Sequence, residues 1–480
     1  MKKNDFKVVI IGSGFSGLCT AMKLLKEGIE DFVILEKNDT IGGTWTTNKY
    51  PGCEVDVPSH LYSFSFEPYD WPKFYSNRES LNEYTNFLID KYSIKSKTKL
   101  NFTVEKIEYS ENSKTWSING NNSEKIASQF VVCSPGRQNI PNIPKFNGLE
   151  TYSGNAFHTS NWDNNLRIKN KKVGLIGVGA SAIQIIPEIV DDCQNLHVFK
   201  RNPKWVLPKK NKEYPVWQRK LFLKIPITRK FYRNLLFINS EYRVLGFRFF
   251  PKILKLYEKK AIGILKKKID SPELVNSFIP NYPLGSCRVL LGTDFLSDLN
   301  KENVFVENGR DISFYEKGII SENKKIELDI IIFATGFKNT KQYISYDIFG
   351  IGGQSLKTLW EKRAKAYLGM FVNNCPNLFL TIGPNSLSGT NSELYTIEKQ
   401  TGLIVDLIVN SKTDKTTINV KKEVVENYTN GIDKKINGTV WDCNFKHWYH
   451  DNEGNNDSLF PSFSTELKYL ITKVKNTDFE

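Results

Sequence analysis

Two six-residue sets are spaced for chemistry in this 480-residue chain: Gly12–Ser13–Gly14–Phe15–Ser16–Gly17, and Gly177–Val178–Gly179–Ala180–Ser181–Ala182. Each follows a short apolar run, KVVII ending at Ile11 and KVGLI ending at Ile176, and each opens a stretch of helical periodicity. In a strand–loop–helix unit the first glycine permits the tight turn and the second lets backbone approach a pyrophosphate. The third small residue, Gly17 or Ala182, lets helix and strand pack closely. The helix N-terminus then faces the phosphates with its positive dipole end. The strand after the first loop, FVILE, ends in Glu36, whose carboxylate can accept hydrogen bonds from ribose hydroxyls. The strand after the second, LHVFKR, ends instead in Lys200 and Arg201, a cationic pair suited to a 2′-phosphate. The first loop is therefore expected to hold a dinucleotide with a free 2′-hydroxyl and the second NADPH. Two such sites in one chain imply electron traffic between two cofactors, most economically FAD and NADPH.

These loops require an α/β fold with two Rossmann-like dinucleotide-binding domains. The expected division is a first FAD-binding part over 1–145, a linker and first NADPH-binding part over 146–206, and a helical insertion over 207–280. The NADPH domain resumes over 281–332 and the FAD domain over 333–480. Hydrophobic content of 40% supplies apolar cores for a chain of this length. The seven cysteines are scattered without a CxxC pair, which fits a reducing cytoplasm and argues against zinc and against a redox-active disulfide. The N-terminus runs straight into the first strand without an apolar signal region, and no uncharged apolar stretch is long enough to span a bilayer. The chain is expected to be cytoplasmic and to bind no metal.

After Glu36 come IGGTW (Ile41 to Trp45) and NKYPGCEVDVPSHLYSFSF (Asn48 to Phe66), and late in the chain DIIIFATGF (Asp329 to Phe337). Between the two loops lies YSGNAFHTSNWD, from Tyr152 to Asp163. With these segments the chain resembles the flavin-dependent monooxygenases of the group that contains the flavin-containing and Baeyer–Villiger monooxygenases. That group's fingerprint is FxGxxxHxxxW followed by Pro or Asp, and Tyr152, Gly154, His158, Trp162 and Asp163 stand in register with it. The ending Trp162–Asp163 favours the Baeyer–Villiger branch. GSCRVLL (Gly285 to Leu291), AYLGMFV (Ala366 to Val372), PNLFLTIGPN (Pro376 to Asn385) and HWY (His447 to Tyr449) extend the resemblance over nearly the whole chain.

The resemblance implies a cycle in which NADPH reduces FAD and the reduced flavin takes up O₂ to give a C4a-peroxyflavin. The substrate is then a ketone, converted to an ester or lactone, or alternatively a soft heteroatom, S- or N-oxygenated. It implies Arg288 as the cation beside the flavin and Asp56 as the carboxylate that orients it. Cofactor contacts are expected from Gly12, Ser13, Gly14, Phe15, Gly17, Glu36, Lys37, Gly43, Thr44, Trp45, Asp56, Tyr62 and Val104. Further contacts are expected from Gly177, Gly179, Ala180, Ser181, Ala182, Lys200, Arg201, Thr335, Gly336 and Asn385. His158, Trp162 and Asp163 are expected in an interdomain linker, with His158 a polar anchor that hydrogen-bonds backbone on both sides. Three departures stand out: Cys287 replaces a frequent Lys that helps hold the NADPH phosphate, Thr390 a frequent His, and Phe445 a frequent Cys. A flavin-dependent reductase of the disulfide type would need paired cysteines beside the flavin, which this sequence lacks.

The net charge of +14 is concentrated between Lys204 and Lys268, where 19 Lys and Arg face three Glu. The expectation there is a helical subdomain with aromatic faces packed inward and lysines solvated. Peripheral contact with an anionic membrane is the second reading, and nucleic-acid binding is disfavoured because no recognised reading module accompanies the charge.

Overall fold

The runs KVVII and KVGLI are apolar on both faces because each lies inside a sheet that has a hydrophobic core on either side. The computed structural model describes residues 5–121, 123–338, 344–411, 413, 416–443, 445, 448–451 and 453–480; His447 of the HWY match lies outside them. Asp5–Ile11 pairs in parallel with Phe32–Leu35 on one side and with Lys125–Cys133 on the other. These belong to an eight-stranded sheet whose far half is an antiparallel meander, Val104–Ser110, Thr115–Gly120 and Lys125–Cys133. The chain then leaves and later returns, adding Asp347–Phe349 beside Val104–Ser110 and Leu378–Leu380 beside Lys125–Cys133. The helix Glu393–Val409 finally packs against Phe15–Lys26, the helix after the first loop, where Cys19 Sγ meets Thr401 Oγ1 at 3.1 Å.

The excursion builds a second sheet of five parallel strands, in the order Val304–Asn308, Asn195–Lys200, Lys172–Ile176, Ile330–Phe333, Asn155–His158. This corrects the linker expectation. Asn155–His158, at the centre of the fingerprint, is the edge strand of this sheet, with His158 opposite Phe333. The apolar strand Ile330–Phe333 is buried along its length and needs a hydrogen-bonding partner on both edges, which this segment supplies. Trp162 packs edge-on to Phe157 at 5.5 Å, and Asp163 Oδ1 accepts the Asn165 N–H at 2.9 Å to close a local turn. The connections between the two bodies lie elsewhere and pair with each other: Lys338 N–H donates to the Ile140 carbonyl and Asn142 N–H to the Gly336 carbonyl, each at 2.9 Å.

Val206–Leu207 pairs with Leu290–Leu291 and closes the base of the insertion. Its helices are Val216–Lys224, Pro226–Val244, Leu254–Lys268 and Pro272–Ser277. Tyr214, Phe222 and Tyr232 pack inward around His60, as the aromatic content predicts. The remaining apolar face turns outward, which the inward-packing expectation does not account for. Among the described residues no helix is long and apolar enough to cross a membrane.

Candidate active site

At the first loop Gly12 has φ +102°, and a Cβ there would lie 2.3 Å from the Ser134 carbonyl oxygen; one on Gly17 would lie 2.0 Å from the Gly12 oxygen. Both positions therefore demand glycine for the turn and for helix–strand contact. Gly14 is different, since a Cβ would meet only Gly43 Cα at 3.7 Å. The helix that starts at Phe15 has no side-chain cap, so its first N–H groups remain available to an anion in that open space. Glu36 is fixed at the rim: Oε2 accepts the Ser13 N–H at 3.0 Å and its hydroxyl at 2.6 Å, and Oε1 accepts the Asn38 N–H at 2.9 Å. Gly43 (φ +62°) brings the IGGTW turn against Gly14, and Thr44 opens the short helix Thr44–Thr47. Trp45 Nε1–H donates to the Tyr62 hydroxyl at 3.2 Å, and Phe15 packs against Tyr62 and Phe64. Lys37 is tied to Asn139 on the crossing segment.

Two expected contacts are engaged by the fold itself. Val104 is buried in the core of the first sheet opposite Gly120. Asn385 donates both side-chain N–H groups internally, to the carbonyls of Asn456 at 2.9 Å and Leu459 at 3.2 Å. Its φ of +51° suits Asn and marks a turn.

The second loop repeats the first. Gly177 (φ +114°) could not carry a Cβ, which would stand 2.5 Å from the Ala334 oxygen, whereas nothing lies within 4 Å of one on Gly179. Helix Ala180–Ile189 is likewise uncapped, with Ala182 fully buried and Ser181 on its first turn. Lys200 departs from expectation. Its Nζ donates to the Ser277 carbonyl at 2.6 Å and lies over the Phe278 ring at 5.0 Å, so it pins the end of the insertion instead of facing a phosphate. Burial and the charge of Arg310 both lower its pKa. Arg201 stays exposed. Arg310 joins it because Val304–Asn308 pairs with Asn195–Lys200 and places the following turn at the same sheet edge. Nothing local in the sequence marks Arg310; only strand order reveals it.

The reaction-centre pair does form. Arg288 Nε donates to Asp56 Oδ2 at 2.7 Å and Nη2 to Oδ1, a bidentate bridge between the two bodies. The Arg288 side chain remains 54% exposed. Burial pushes the Asp56 carboxyl up, but the Arg288 charge and hydrogen bond outweigh it and hold the carboxyl below its usual range; Asp56 in turn raises Arg288. Tyr62, Tyr449 and Glu393 stand within electrostatic reach of this pair.

Glu393 went unnoticed in the sequence, where it is one acid at a helix start. Its Oε1 accepts the Ser388 N–H at 3.0 Å, but Oε2 is buried without a hydrogen-bond partner among the described residues. Burial pushes its carboxyl up to about 8, against the pull of Arg137 and Arg288. Of the other aromatics, Trp441 is core, Trp448 lies under the Arg137 guanidinium at 5.5 Å, and Tyr449 is buried beside Arg288. Phe445 stacks on Tyr282 at 4.3 Å next to the buried Cys287.

His158 is 1% exposed. Its Nδ1 accepts the Ser160 N–H at 3.1 Å, which leaves the proton on Nε2 to be donated to the Gly336 carbonyl at 2.9 Å. Burial lowers its pKa, against the opposing pull of the Gly336 hydrogen bond. The Gly336 carbonyl also receives the Asn142 N–H, and Thr335 Oγ1 donates to the Asn142 carbonyl at 2.6 Å. His158 therefore clamps the second sheet onto the paired connections from outside them.

Residues 5–437 match the family model described as flavin-binding monooxygenase-like. The chain is 36% identical to a Baeyer–Villiger monooxygenase of Pseudomonas aeruginosa, over 97% of this chain and 89% of that protein. It is 32% identical to one of Streptomyces coelicolor, over 99% and 92%. Among solved structures it superposes on oxidized steroid monooxygenase bound to NADP with a TM-score of 0.88 at 22% identity, covering 98% of this chain and 97% of that one. Cyclohexanone monooxygenase from Rhodococcus sp. Phi1 bound to NADP⁺ gives the same TM-score, identity and coverage.

Proposed function

The chain belongs to the flavin-binding monooxygenase-like family, and on that premise we propose that it uses FAD, NADPH and O₂ to convert a ketone to an ester or lactone. In the balanced reaction ketone, NADPH, a proton and O₂ give ester, NADP⁺ and water. Bound FAD supplies the redox chemistry, taking a hydride from NADPH and passing the electrons to O₂. The loop at Gly12, Ser13, Gly14 and Gly17 receives the FAD pyrophosphate, and Glu36, already oriented by Ser13, receives the ribose. The loop at Gly177, Gly179, Ala180 and Ser181 receives NADPH, with Arg201 and Arg310 toward the 2′-phosphate.

The observation that carries this reading is the Arg288–Asp56 bridge, whose arginine side chain stays open to an incoming molecule. Arg288 stays charged at any working pH, and Asp56 fixes its direction, so negative charge developing on an oxygen there meets a preorganised cation. Tyr62 and Tyr449 stand beside the same pair and offer aromatic surface to a bound substrate. The test is to give the FAD-loaded protein NADPH, a cyclic ketone and ¹⁸O₂. Lactone carrying one labelled oxygen in the ring supports the proposal. Sulfoxide from a thioether without lactone would move the enzyme to the heteroatom branch, and NADPH consumption with peroxide as sole product would refute both.

A further inference from the structure

Most large apolar side chains that stand exposed in this protein are gathered in one place. Of the twenty among the described residues, fourteen lie between Val216 and Tyr257 in the helical insertion. On helix Pro226–Val244 the exposed positions Ile227, Phe231, Leu235, Ile238 and Tyr242 recur every three to four residues and form one stripe, each 48–69% exposed. The helix is thus amphipathic in the opposite sense to an ordinary surface helix, with its aliphatic face toward solvent. On the segments that flank the helix, Trp217 is 67% and Phe250 63% exposed.

The charges of the insertion are sorted. Three of its arginines turn inward and fasten it: Arg219 pairs with Asp70, Arg233 with the His60 carbonyl and Glu398, and Arg248 with Ser462 and Glu466. The Lys209 side chain is buried against Glu54, but most of the insertion's lysines face out. Lys224, Lys230, Lys255 and Lys259 are exposed and have no acidic partner among the described residues. A solvated subdomain would not leave a continuous aliphatic stripe in water. A second copy of the chain would bring two lysine-rich surfaces together. An anionic lipid surface satisfies both features, taking the stripe into its apolar boundary and the lysines at its headgroups.

We infer that the insertion is a peripheral docking surface for an anionic bilayer, engaging it through the Ile227–Tyr242 stripe and the surrounding lysines. The surface is independent of the oxygenation chemistry. The test is co-sedimentation of the full-length, FAD-loaded protein with vesicles of equimolar phosphatidylcholine and phosphatidylglycerol, and with vesicles of phosphatidylcholine alone. Binding to the mixed vesicles, weakened by added salt and much reduced on phosphatidylcholine, is expected. The triple variant Phe231→Ser, Leu235→Ser, Ile238→Ser should lower partitioning about 100-fold or more, while a bound-flavin spectrum confirms that it folds. Lys224→Glu with Lys230→Glu should weaken binding to the mixed vesicles only. Failure of the unaltered protein to bind, or equal binding by the serine variant, overturns the inference. So does a dimer, measured in solution without lipid, that the serine variant dissolves, since a second copy would then cover the stripe.

Discussion

Replacing Glu393 by Gln tests whether a neutral acid stands near Arg288 at working pH. The carboxyl rises from 4.5 to about 8 because Oε2 is buried without a partner. At ~1.4 kcal/mol per unit, the cost of ionising it in the fold is bounded at ~5 kcal/mol. The residue is only partly covered, so about half of that is expected. The sign follows from a pKa raised by folding: the favourable contribution is complete below the unfolded value of 4.5, is lost as pH climbs to about 8, and changes no further above it. Gln resembles the neutral acid in shape and has no proton to lose. Thermal unfolding of both FAD-loaded proteins from about pH 5 to about pH 9 should show the variant gaining on the unaltered protein, by ~2–5 °C, with a plateau near pH 8. A difference that is constant across this range, or that falls with pH, refutes a raised Glu393 pKa and with it the picture of a desolvated carboxyl beside Arg288.

Arg288→Ala should lower ketone oxidation about 100- to 1000-fold with FAD still bound; ketone turnover within about threefold of the unaltered rate would remove Arg288 from the chemistry. Gly179→Ala meets open space and should leave thermal stability unchanged, yet raise KM for NADPH because its Cβ occupies the approach of the pyrophosphate; an unaltered KM would argue that no dinucleotide sits there. Arg310→Ala should reduce the ratio of kcat/KM for NADPH to that for NADH about tenfold or more, whereas Lys200→Ala should leave the ratio in place and lower the unfolding temperature through the lost Ser277 contact. The reverse pattern would restore the phosphate role to Lys200.

Short-range chemistry made much of this protein legible before any fold was known. The glycines at 12, 17 and 177 are dictated by backbone sterics, and each proves to have no room for a Cβ. The strands beside them read as strands because burial on both faces leaves a continuous apolar run. Family likeness supplied the pairing of Arg288 with Asp56, which spacing could not, since 231 positions separate them in sequence.

Tertiary structure alone decided the rest, because in each case a distant segment supplies the partner. Lys200 was lost to the phosphate by a carbonyl at the end of the insertion, and Arg310 was gained by parallel pairing of Val304–Asn308. His158 and its neighbours read as a polar connection until the unpaired edge of Ile330–Phe333 drew them into a sheet. Glu393 acquired its character only from the walls that bury it. The insertion's composition showed that it is basic, aromatic and helical, but which face of Pro226–Val244 meets the protein depends on contacts with His60 and Glu398 far earlier or later in the chain. Sequence fixes what a residue can do within a turn or two of backbone; which of those capacities remains free depends on what the rest of the chain packs against it.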